Sequence, residues 1–276
     1  QTNTICTNMS GICTNTGLTF TANSGYMVDS VIVDGNKVDS VSGYTFSSLT
    51  SNHTIRVTYK ALNVPSYIPT NGLVGWWPFN GNANDESGNG NHGTLVNSPT
   101  YNSSYGGSFL FNGSTSYVSL SPTKLPIGTS DRTIIAFVKT PTSFEQFLHI
   151  IHWGSTSSNQ AFGLALVNRQ ISSHIWGSTP TQGGVTVSAA TNYCFAVTYT
   201  HASTLHKFWI NGVSQGSGVS SSINTGSADA RIGQRIAGLQ EWGPDGQIYK
   251  ILVYNMALSN EEIQEIFNTQ KVQYGL

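Results

Sequence analysis

The sequence is poor in charge. Asp, Glu, Lys and Arg make up only 9% of its 276 residues and the formal net charge is −1, where an average soluble domain is about a quarter charged. No basic stripe is available to meet a nucleic-acid backbone, and no acidic tail is present. Long apolar runs are missing too: none approaches the roughly 20 residues of a membrane-spanning helix, so no membrane insertion is expected. A Lys/Arg-then-apolar leader does not open the chain. The polar start QTNTICTNMSG reads as a processed or excised piece of a longer product. Paired carboxylates for glycan hydrolysis are absent at strand spacing, where an E-x-D-x-E run would put them on one face. The 13 acids are scattered, and Glu241 and Asp245, a close pair in the sandwich outside the helix, lie in a loop. Catalysis is therefore not expected.

Cysteine is scarce, with three in the chain. Cys6 and Cys13 bracket a short TNMSGI loop and are the expected disulfide if the compartment is oxidising. With no Cys-x-x-Cys and no nearby His, a metal site there is disfavoured. Cys194, inside YCFAVTY, reads as a small buried hydrophobe.

What the chain has instead is Ser, Thr, Asn, Gly and aromatics, which favour turns and strands over helix interiors. Residues 4–60 alternate in short bursts, with a hairpin signal at Asp34-Gly35 and Ile55, Val57 and Tyr59 on one face. A proline-bearing stretch, Ala61–Thr70, carries no periodic pattern. Beyond it come short apolar runs closed by turn residues: 73–79, 107–111, 117–120, 133–139, 147–153, 161–167, 170–176, 193–199, 205–210, 230–232 and 246–254. Asn211-Gly212 signals a second hairpin. One helix is expected, at the end: Ser259-Asn260-Glu261-Glu262 forms a capping box, and Leu258, Ile263, Ile266 and Phe267 form its apolar face. The domain plan is 1–61, a linker at 62–71, and 72–276.

Two literal motifs fail their context. Gly88-Asn89-Gly90-Asn91-His92-Gly93 fits G-x-G-x-x-G, but no acid lies between Glu86 and Asp131 and no strand-turn-helix surrounds it. Gly212-Val213-Ser214-Gln215-Gly216 fits the nucleophile elbow, yet it falls in the far arm of a hairpin.

The early run resembles small Ig-like bacterial surface repeats, through Gly25-Tyr26, Val33-Asp34-Gly35, Tyr44-Thr45-Phe46 and His53-Thr54-Ile55 to Tyr59. The resemblance implies a spacer on a secreted or surface protein. From Gly72 the run GLVGWWPFNGNAND, then SGNGNHGT, resembles the opening of a laminin-G-like, concanavalin A-like domain. Phe109–Gly113 with Tyr117-Val118, Phe208–Gly212, Arg231–Gly233 and Ile251–Ser259 continue that resemblance in order, over about 72–270. It implies an all-β fold: an antiparallel β-sandwich (jelly roll), with a small N-terminal β-sandwich and a short C-terminal helix. The implied role is an extracellular or cell-surface adhesion module whose partner is a glycan or a surface protein. Two rival readings stay open, a structural subunit that self-assembles into a surface layer or filament and a polysaccharide-degrading relative.

Within this frame two sites are expected. Asp85, with Asn89, sits amid Asn and Gly carbonyls; it either holds a structural Ca²⁺ or caps its own turn. The resemblance implies a late acid in a G-x-I-D step, where this chain has Gly246-Gln247-Ile248-Tyr249 and so carries Tyr249 in its place. Trp153, Trp176 and Trp242 each precede Gly near a strand end, where an exposed ring can stack on a sugar face. Asn159, Gln160, Arg169, His174 and Arg235 are candidate partners for its hydroxyls, and the alternative for each Trp is a core plug. Alternation over Phe147–Trp153 puts His149 and His152 on opposite faces, so they are expected to pack separately and not to act as joint ligands.

Overall fold

The computed structural model describes residues 17–20, 26–38, 43–46, 51–61, 64–144, 146–238 and 242–276. The chain divides into two compact units, 1–64 and 65–276. Cys6, Cys13 and Glu241 lie outside the described residues, so the expected disulfide and the Glu241–Asp245 loop pair are not addressed by the structure.

In the first unit the strands are β1 (Gly17–Thr19), β2 (Tyr26–Val33), β3 (Asn36–Val38), β4 (Gly43–Thr45) and β5 (Ile55–Ala61). The β2–β3 hairpin turns at Asp34 and Gly35, both at positive φ (49° and 81°), as a type I′ turn requires. Val31, Val33, Phe46 and Ile55 are its buried core.

The second unit begins with β6 (Leu73–Trp77), β7 (Thr94–Val96), β8 (Thr100–Asn102), β9 (Ser108–Leu110), β10 (Tyr117–Ser119), β11 (Arg132–Lys139) and β12 (Phe147–Gly154). It continues with β13 (Ala161–Val167), β14 (Gln170–His174), β15 (Thr181–Thr186), β16 (Asn192–Thr200) and β17 (Leu205–Ile210). β18 (Val213–Val219), β19 (Asp229–Ile232), β20 (Gln247–Tyr254) and helix α1 (Asn260–Gln270) complete it. A seven-stranded sheet runs β15-β14-β13-β12-β19-β10-β7, and an eight-stranded sheet runs β18-β17-β16-β11-β20-β9-β8 with β6 also on β20. The expected all-β jelly-roll sandwich is what forms. Alternate residues of the two sheets meet in one core that includes Trp77, Phe109, Ile134, Phe162, Phe195 and Ile251.

Local chemistry explains the turns and the helix. Asn211 and Gly212 take positive φ between the hairpin arms β17 and β18. The capping box is complete: Glu262 N–H donates to Ser259 Oγ and Ser259 N–H to the Glu262 carboxylate. Helix α1 then lies over the outer face of the eight-stranded sheet. Trp209 Nε1–H there donates to Asn260, Lys250 Nζ to Gln270, and the Phe137 ring sits 4.7 Å from Tyr274 just past the helix. Three short strands, β7, β8 and β15, were not expected; Thr-Gln-Gly-Gly-Val-Thr, for example, has no apolar run to mark it.

Candidate functional site

The site grows out of an irregularity in β12. Its register against β13 passes from His149↔Ala165 to Ile151↔Leu164, which leaves Ile150 as the extra residue of a β-bulge. Leu148, Ile150, Ile151 and Trp153 consequently all reach the core. His149 and His152 are turned together onto the outer face of the seven-stranded sheet. The strict alternation expected from sequence is broken here, and with it the expectation that the two histidines are separated.

His174 of β14 joins them from two strands away. The residue between His152 and His174 in the sheet is Gly163, paired with both. A Cβ on Gly163 would lie 2.5 Å from the His152 ring and 2.4 Å from the Ile151 carbonyl oxygen. Its absence clears the floor on which the rings meet. His152 Nε2 and His174 Nδ1 stand 3.3 Å apart. The ring centroids of His149, His152 and His174 are 4.7–5.1 Å from one another. One ligand nitrogen from each lies within 4.8 Å of the others; among the described residues no other group of three or more His, Cys, Asp or Glu converges in this way.

The three imidazoles are buried, His149 and His152 completely. Burial foremost, then the charges of His149, His174 and Arg235, hold the His152 pKa well below the ordinary imidazole range. Burial and Arg235 lower His174 to about 4. All three rings are buried among one another, and His152 Nδ1 has no hydrogen-bond partner.

Around this buried row lie half-buried aromatic–guanidinium pairs. Arg235 stacks over Trp176 at 4.6 Å, and Arg231 over Tyr117 at 4.4 Å. Arg231 also pairs with Asp229 at 2.8 Å, the one acid in the strands of this sheet. Asn159 sits in the loop beside Trp176: its N–H donates to the Trp176 carbonyl at 2.9 Å and its side-chain oxygen accepts from Ser178 Oγ at 2.5 Å.

Thus Trp176, Arg235, Asn159 and His174 gather at one edge of the outer face. Trp153 and Trp242 do not. Both are 0% exposed members of the core. Trp153 Nε1–H donates to the Pro126 carbonyl at 2.8 Å, and Trp242 packs so closely on Gly246 that a Cβ there would lie 2.4 Å from Nε1. They are core plugs, with no ring face to offer a ligand. Arg169 is likewise structural, donating twice to the Val187 carbonyl and stacking on Phe144.

The Asp85 loop is organised from within. Asp85 is buried, with Oδ1 accepting from the Trp76 and Ser87 N–H groups and Oδ2 from that of Asn91, each at 2.9 Å. Three of about four lone-pair sites are thereby used. Asn89 Nδ2 donates to the Leu73 carbonyl at 2.7 Å, and the Lys124 ammonium reaches the Asn89 and Gly90 carbonyls. This geometry supports the turn-capping role for Asp85 over cation binding, since N–H donors and a lysine already occupy the oxygens a Ca²⁺ ion would need.

Residues 112–264, more than half of the chain, match the Laminin_G_3 family model, described as the concanavalin A-like lectin/glucanases superfamily. No curated protein sequence matches the chain. Among solved structures, domain 4 of AbnA, a GH43 extracellular arabinanase from Geobacillus stearothermophilus, in complex with arabinotriose, is 19% identical, covering 70% of this chain and 97% of that one, with a TM-score of 0.55. The botulinum neurotoxin serotype D ligand binding domain, in complex with N-acetylneuraminic acid, is 15% identical over 75% of this chain and 54% of that one, with a TM-score of 0.59. Trypanosoma rangeli sialidase is 16% identical over 77% of this chain, which spans about a third (34%) of the sialidase, with a TM-score of 0.53. At these identities the likeness is one of fold.

Proposed function

The chain belongs to the concanavalin A-like lectin/glucanases superfamily, and from that premise we propose that its second unit is a non-catalytic glycan-binding module of an extracellular or cell-surface protein. The observation that carries this reading is the Trp176–Arg235 pair, a half-buried indole and a guanidinium 4.6 Å apart at the edge of the outer sheet face. An indole offers a flat apolar surface to a sugar ring, and a guanidinium donates in a fixed plane to hydroxyl or carboxylate oxygens. Asn159 beside them and the Tyr117–Arg231 pair further along extend the same chemistry. Two solved domains of this fold were captured with sugars, arabinotriose and N-acetylneuraminic acid, which supports a saccharide as the ligand class here. The non-catalytic part rests on charge: Asp229 is the one acid in the strands of that sheet, and it is paired with Arg231.

A glycan array probed with the full chain, with and without Ca²⁺, tests the reading. Binding to a defined set of glycans is expected, weakened by about tenfold or more (about 1.4 kcal/mol) in Trp176→Ala and Arg235→Ala. Absence of binding in both conditions, or variants that bind as well as the parent, would sink it and move a self-assembling structural role ahead. Cleavage of an arrayed glycan would overturn the non-catalytic part alone.

A further inference from the structure

We propose that His149, His152 and His174 form a binding site for a divalent first-row transition metal, with Zn²⁺ as the best fit. The inference is independent of glycan binding. Imidazole nitrogens suit Zn²⁺, Cu²⁺, Ni²⁺ and Fe²⁺ and discriminate against Ca²⁺ and Mg²⁺, which take oxygen ligands. Three histidines with one remaining position is an established zinc ligand set, with Zn–N bonds of about 2.0–2.1 Å. Two nitrogens on such a tetrahedral ion lie roughly 3.3 Å apart; His152 Nε2 and His174 Nδ1 already have that separation of 3.3 Å. The third ring, His149, has a ligand nitrogen within the same 4.8 Å envelope.

The backbone around the rings is arranged for them. A β-bulge at Ile150 brings His149 and His152 to one face, and Gly163 leaves the strand between His152 and His174 without a side chain. Hydrocarbon rings would fill the space without desolvating any nitrogen, whereas buried polar atoms cost free energy unless they are partnered. His149 and His152 are fully buried, and His152 Nε2 faces His174 Nδ1. Arg235 bears on the His152 and His174 rings electrostatically. Its charge opposes a bare dication and favours an anion, or hydroxide, as the fourth ligand.

The test uses the full chain, stripped with a chelator and dialysed. Titration with Zn²⁺ by calorimetry is expected to show one ion per chain. The melting temperature is expected to rise by about 5–10 °C at a metal concentration about a hundred times Kd, with no rise from Ca²⁺. Co²⁺ is expected to give the visible bands of a nitrogen-ligated tetrahedral site, unchanged in a Cys6→Ser/Cys13→Ser variant. His174→Ala, at the edge of the cluster, is expected to lose affinity by more than about a hundredfold, beyond what removal of a supporting residue costs. If that variant does not fold, His149→Gln gives the same reading. A parent chain that binds no Zn²⁺ or Co²⁺, or His variants that bind as tightly as the parent, would overturn the proposal. Loss of glycan binding with metal binding intact would leave it standing, and the converse result would remove it alone.

Discussion

The two outer faces of the sandwich solve one problem in different ways. Each sheet has a core face and a back, and the back must be covered or be polar. On the eight-stranded sheet the cover is helix α1 and the turn after it. Phe137, Leu252, Tyr254 and Tyr274 are buried there, and a single ammonium, Lys250, is enclosed by Trp76, Phe137 and Tyr274 at 5.7–6.0 Å. Its hydrogen-bond partner is Gln270 of the helix. On the seven-stranded sheet the back carries imidazoles, guanidiniums and half-buried aromatic rings. The covered face stores stability, and the polar face stores chemistry. Burial alone therefore does not mark a functional region in this fold; the kind of group buried does.

The largest expected effect breaks that symmetry directly. Phe137 is fully buried under the helical cover, so Phe137→Ala should cost about 3–5 kcal/mol in urea unfolding. Phe147 is half-buried at the edge of the polar face, 5.9 Å from His174; its truncation should cost less than about 2 kcal/mol. Equal losses would mean that the faces are not different in kind.

The acid limb of the stability profile comes next. His206 points into the sandwich interior among Arg132, Tyr199, Phe162 and Phe208, with Nε2 on Ser220 Oγ at 2.8 Å. Burial, then the charge of Arg132, lowers its pKa from 6.5 to about 4. Above pH 6.5 its contribution is complete. As pH falls from there towards 4 the unfolded chain takes up the proton first, and up to roughly 3 kcal/mol is lost. His206→Phe should flatten that part of the profile by about one proton, and an unchanged acid slope would count against the assignment.

The smallest effect belongs to the lysine and runs at the other end of the pH scale. Burial lowers the Lys250 pKa from 10.5 to about 8. Between those values the folded chain has released a proton that the unfolded chain still holds, so stability rises with pH through that window. Replacing both partners by apolar groups, as Lys250→Met with Gln270→Leu, should stabilise the chain by about 1–2 kcal/mol at pH 7. It should also erase the alkaline rise and leave the acid limb intact. Loss of stability in this double variant would show that the buried ammonium contributes net binding energy to the cover.

Much of the fold was legible because it follows from short-range rules. Turn positions with positive φ favour Gly, Asn or Asp, which is why Asp34-Gly35 and Asn211-Gly212 announced their hairpins. Ser259 and Glu262 announced the helix start because each satisfies an orphan backbone donor of the other. Short polar strands such as Thr181–Thr186 stayed hidden, since their pairing, not their side chains, makes them strands. The candidate site was half legible. Tryptophan before glycine at a strand end marked Trp153, Trp176 and Trp242 alike, but only the packing around each ring separates the half-buried Trp176 from the two core plugs.

Residue order alone sets the class of this protein: a low-charge chain of short apolar strands, with turn residues and a capped final helix at positions that admit few architectures. Only the tertiary structure decided where its chemistry lies. A single extra residue at Ile150 reverses the side-chain parity of β12, and a glycine two strands from β19 lets His152 and His174 meet across the gap. Register between strands distant in sequence is a property of pairing, and the alternation within one strand does not contain it.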